Sequence, residues 1–91
     1  MKETRTLANV IIDHKEKQTL EEFASMLEKL AQKLKDQGSF VFVQNDKETL
    51  VQPSSILKTE VKYIQKGTKH SFEIEFDWNE GEKGPEKMEI R

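Results

Sequence analysis

The sequence predicts an α+β domain in which one helix packs on one face of a mainly antiparallel sheet, in the order β-α-β-β-β-β. Three patterns lead there. Phe72, Ile74, Phe76 and Trp78 alternate with Glu73, Glu75 and Asp77, the period of a strand with one apolar face. Leu20, Phe23, Ala24, Leu27, Leu30, Ala31 and Leu34 recur at spacings of three and four, the period of an amphipathic helix. The remaining apolar runs are short, rich in β-branched and aromatic residues, and separated by turn formers.

Taken in order, Leu7 to Ile12 carries Val10, Ile11 and Ile12 and predicts a first strand, cut off by the charged run Asp13 to Lys17. Thr19 followed by Glu22 has capping-box spacing, so a helix is expected from Thr19 to Gln37. Lys33 and Lys35 suit the negative end of its dipole, and Gly38 supplies a left-handed stop. Phe40 to Val43 reads as a strand, Asn45-Asp46-Lys47 as a turn, and Thr49 to Gln52 as a strand that Pro53 ends or confines to an edge.

Leu57, Thr59, Val61 and Tyr63 then alternate with Lys58, Glu60 and Lys62, giving a long strand that Gly67 turns into the last one. A two-residue loop at Gly67-Thr68 sets Tyr63 opposite Phe72, Val61 opposite Ile74, Leu57 opposite Trp78, Lys62 opposite Glu73 and Lys58 opposite Asp77. A loop at Lys66-Gly67 shifts the register by two and keeps the faces. The expected core is Val10, Ile12, Leu20, Phe23, Leu27, Leu30, Leu34, Phe40, Phe42, Leu57, Val61, Tyr63, Phe72, Ile74, Phe76 and Trp78. Residues 1–78 are expected to form one compact domain and residues 79–91, with no apolar side chain before Met88, a mobile charged tail.

This order, closing on an amphipathic strand and a tryptophan, resembles the amphi-Trp domain, a small prokaryotic family named for that ending. The likeness covers roughly Val10 to Trp78. It rests on the Thr19-Leu20-Glu21-Glu22 helix start, the Leu27, Leu30, Ala31 stripe, Gly38, Pro53 and the run Phe72-Glu73-Ile74-Glu75-Phe76-Asp77-Trp78. The residues after Trp78 run past that pattern. The resemblance implies the fold and no biochemical activity, cofactor or catalytic residue.

Composition narrows the function classes. Of 91 residues, 34% are hydrophobic and 35% charged, and 17 acids against 15 bases leave a net charge of -2, which gives no overall pull toward nucleic acid or anionic lipid. Lys58, Lys62, Lys66 and Lys69 alternate with acids and make no phosphate-tracking groove, so no nucleic-acid partner is expected. With no cysteine there is no disulfide, thiolate metal site or cysteine nucleophile. No run approaches the roughly 20 apolar residues of a membrane-spanning helix, and no cleavage pattern follows the start, so a cytoplasmic protein without a membrane partner is expected.

Catalysis finds no support. No glycine pair flanks Ser25, Ser54 or Ser55 in the manner of a nucleophile elbow, and Gly38, Gly67, Gly81 and Gly84 are too scattered to cradle a phosphate. His14 and His70 have no second histidine at ligand spacing, and both are expected in solvent. No enzyme activity, cofactor or resident metal is therefore expected. The favoured reading is a non-enzymatic interaction module, self-associating or binding an unknown protein through an open sheet face or an edge strand. Ile11, Val41, Val43 and Val51 are the candidate surface, pointing away from Phe40, Phe42 and the helix. The alternative is a small-ligand or metal-ion binder that uses Trp78 with the row Glu73, Glu75 and Asp77.

Overall fold

A computed structural model describes residues 7–81 and 90–91. One helix, α1 (Leu20–Gln37), is followed by four strands: β1 (Phe40–Gln44), β2 (Lys47–Val51), β3 (Lys58–Lys66) and β4 (Lys69–Asp77). The α+β class is as the periodicities predict. The first predicted strand is not formed, because Leu7 to Ile12 pairs with no neighbour and a strand exists only through its ladder. The single sheet expected is also replaced by two separate two-stranded antiparallel sheets, β1-β2 and β3-β4.

The helix starts where its cap dictates. The Thr19 hydroxyl accepts a hydrogen bond from the Glu22 backbone N–H at 3.1 Å and donates to Glu22 Oε1 at 3.1 Å, so the Glu22 carboxylate reaches back to the cap hydroxyl rather than to the cap N–H. Gly38 ends it in the left-handed region with φ 68°, its N–H bonded to the Leu34 carbonyl at 3.0 Å.

Both hairpins close through two-residue loops. Asn45 and Asp46 have φ 50° and 63°, the type I′ geometry that matches strand twist, so Lys47 belongs to β2 rather than to the turn. Gly67, with φ 61°, opens the other loop. Its register sets Lys58 against Asp77, Val61 against Ile74, Lys62 against Glu73 and Tyr63 against Phe72, as a Gly67-Thr68 loop requires.

Packing between these elements is slight. Among the described elements helix α1 touches only β1, along a groove lined by Met26, Leu30, Phe40 and Phe42 and flanked by Lys29 and Lys33. Among the described residues none is fully buried. Ile12, Leu30, Leu34, Phe40, Phe42, Phe76 and Trp78 of the expected core are half-buried; Val10, Leu20, Phe23, Leu27, Leu57, Val61, Tyr63, Phe72 and Ile74 are exposed. Their faces agree with the periodicity, but among the described residues nothing buries those faces. The expectation of a mobile tail over 79–91 falls mainly on residues 82–89, which lie outside the described residues.

Candidate functional site

The β3-β4 hairpin has two faces of opposite chemistry. On one, Thr59↔Phe76, Val61↔Ile74 and Tyr63↔Phe72 are cross-strand pairs, and Gln65↔His70 closes the end near the turn. Tyr63 organises that end: its hydroxyl lies 2.7 Å from His70 Nδ1, and its ring is 6.0 Å from Phe72. His70 is exposed but engaged, where solvent contact alone was expected. At the other end Trp78 stacks on Phe76 with centroids 5.9 Å apart and planes 20° apart. Val61, Tyr63, Phe72 and Ile74 are each between 62% and 66% exposed, so the middle of this face is an apolar strip open to water.

The opposite face of the hairpin is charged and polarised along its length. Lys66 and Lys69 oppose each other beside the turn; further on come Lys62↔Glu73, Glu60↔Glu75 and Lys58↔Asp77. Lys58 reaches Glu60 at 3.9 Å along its own strand, an exposed contact of small energy. Both predicted base-to-acid pairs are formed, and between them two carboxylates, Glu60 and Glu75, face each other. Among the described residues no three His, Asp or Glu side chains gather to hold a metal ion. Glu73, Glu75 and Asp77 lie on the face away from Phe76, the ring on which Trp78 stacks, so the row and the indole do not converge on one ligand.

The β1-β2 hairpin places the other candidates. Val41 pairs with Leu50 and Val43 with Glu48 on one face, while Phe40↔Val51 and Phe42↔Thr49 share the half-buried face beside the helix. Val51 is therefore on the opposite side from Val41 and Val43, and Leu50 takes the place expected for it. Ile11 is exposed and stands in no sheet. It lines an open cleft with Val10 and Ile12, the β2 exit around Val51 and Pro53, and Trp78.

His14 departs from its expected isolation. Its Nδ1 lies 3.1 Å from Gln44 Nε2, its Nε2 lies 3.1 Å from Glu16 Oε1, and its ring meets Phe42 edge-on at 5.9 Å. The amide of Gln44 donates to Nδ1, which places the ring proton on Nε2 facing Glu16. The Gln44 partner was not identifiable from spacing, because it is 30 residues away in sequence.

Small two-faced hairpins behind a capped helix, with an apolar strip ending on a stacked tryptophan, define an α+β domain built around surface rather than pocket. The Amphi-Trp domain model matches residues 6–91, and the chain belongs to that family. The match includes the residues beyond Trp78, which the sequence pattern had set outside the family likeness. No curated protein and no solved structure matches the chain. No helix among the described residues is long and apolar enough to cross a membrane.

Proposed function

We propose that the chain is a non-enzymatic interaction module that works through its open strand faces. The observation that carries this reading is the strip Val61, Tyr63, Phe72 and Ile74, four large side chains side by side and each more than 60% exposed. Burying such a strip against a partner removes apolar area from water at about 25 cal/mol per Å². The face bearing Val41, Val43 and Leu50 extends the same kind of surface to the second hairpin. The charged back of β3-β4 supports the assignment by leaving one face to water and one to a partner.

A photoreactive amino acid placed at Ile74, with Glu73 on the opposite face as control, tests the reading in the cell that makes the protein. A discrete protein adduct is expected from position 74 and none from position 73. Equal yields at the two positions, or no adduct at either, count against an interaction face.

A further inference from the structure

The surface of this chain is too large for a protein that folds alone. Its accessible area is 9620 Å² at 10.6 kDa, whereas a compact monomer of that mass exposes about 5,500 Å². The radius of gyration tells the same story: 17.6 Å against about 12 Å for a compact chain of this length. Fourteen residues lie outside the described ones; taken at the unfolded-chain value they account for at most about 2,400 Å² of the difference. A surplus of about 1,700 Å² therefore belongs to the described residues.

That surplus has the size of an obligate interface. Two chains each covering it bury about 3,400 Å² together, inside the range of roughly 2,000–5,000 Å² for permanent homodimers. Without such cover the ordering cost of about 1–2 kcal/mol per residue has little to offset it, since no described residue is buried.

We propose that the folded unit is a two-fold dimer of this chain, with the apolar faces of two β3-β4 hairpins packed against each other. The proposal rests on reading the chain as an interaction module and names its partner. Self-complementarity selects a second copy. Across Thr59, Val61, Tyr63, Gln65, His70, Phe72, Ile74 and Phe76 the face carries no carboxylate and no lysine, so a two-fold axis brings no fixed like charges together. The charged residues of both strands stand on the back, where a sandwich leaves them in water.

The net charge of -2 adds little long-range repulsion between copies. A nine-residue hairpin presents a patch only about 30 Å by 10 Å, smaller than the surplus. Leu20, Phe23 and Leu27 on the helix are exposed apolar side chains outside that patch.

Sedimentation equilibrium and thermal unfolding of the full chain over a roughly hundredfold dilution test this. The expected mass is that of two chains, with a midpoint that falls by about 5–10 °C across the series. Val61→Lys is expected to yield single chains or unfolded protein, while Lys62→Ala, on the back of the same strand, keeps the dimer. In an isolated protomer Val61 faces water, so loss of folding in Val61→Lys alone also supports the interface. For the unsubstituted chain, a folded species of one chain, or of three or more, overturns the proposal, as does a Val61→Lys variant that stays a dimer. If the purified chain is a folded monomer and Ile74 still forms a discrete adduct with another protein, the dimer fails and the interaction reading stands.

Discussion

Glu60 and Glu75 stand directly opposite each other between the Lys58↔Asp77 and Lys62↔Glu73 pairs, and replacing one of them by lysine should stabilise the protein. Opposed like charges in an antiparallel pair are unfavourable by an amount similar to the 0.2–1 kcal/mol that opposite charges contribute, so Glu75→Lys changes the sign of one such term. The full swing is about 0.5–2 kcal/mol, but Glu60 is 59% exposed and already lies near Lys58. Solvent screening reduces the expected gain to about 0.5–1 kcal/mol, or roughly 3–6 °C in unfolding midpoint. Thermal melts followed by circular dichroism at low salt measure it, and the gain should shrink as salt rises past the point where the screening length is about 10 Å.

The double variant Glu60→Lys with Glu75→Lys restores a like-charge pair and should lose most of that gain. A double variant as stable as Glu75→Lys, or a Glu75→Lys protein no more stable than the parent at low salt, would show that the two side chains are not opposed. The assigned hairpin register would then be wrong.

Other consequences are simpler to measure. Thr19→Ala removes the acceptor for the Glu22 N–H and should cost about 1 kcal/mol in denaturant unfolding, whereas Thr19→Ser should cost little. Gly38→Ala should also cost about 1 kcal/mol. A Cβ there meets no atom within 4 Å, so the cost is the left-handed backbone alone and no neighbouring substitution should relieve it. Magnesium or calcium should leave the fluorescence of Trp78 unchanged, because the nearby carboxylates point away from the face on which the indole stacks; a saturable shift would revive a metal-binding role for Glu73, Glu75 and Asp77.

The features that the sequence made legible are those fixed within a few residues. Thr19 with Glu22 and Gly38 bounded the helix because caps are local hydrogen bonds and local dihedral angles. The β3-β4 register was readable because a one-residue slip would drop Ile74 and Phe72 among the lysines. Val51 shows how little is needed to lose a face. Reading Asn45-Asp46-Lys47 as the turn sets Val51 beside Val41, whereas the observed two-residue loop sets it opposite Phe40.

Leu7 to Ile12 illustrates a different limit. Val10, Ile11 and Ile12 favour extended backbone, but a strand needs a partner, and side-chain preference does not supply one. The same holds for the expected core: periodicity placed Val61, Tyr63, Phe72 and Ile74 on one side without determining what would lie against it. His14 was unreadable for a third reason, since its contacts with Gln44 and Phe42 are made through space by elements far apart in the chain.

Every packed pair of elements described above joins neighbours in the chain: α1 with β1, β1 with β2, and β3 with β4. Such short-range structure forms quickly, a hairpin in about 1–10 μs and a helix in under about 1 μs, because little loop entropy is lost before the first contacts form. Among the described elements, no pairing within a single chain then has to wait for a distant partner. If the strand faces are completed by association, the rate at which native protein accumulates is second order, set by how often two half-finished chains meet. Output from a ribosome, local abundance and dilution would control the yield of working protein more strongly than any step inside the chain.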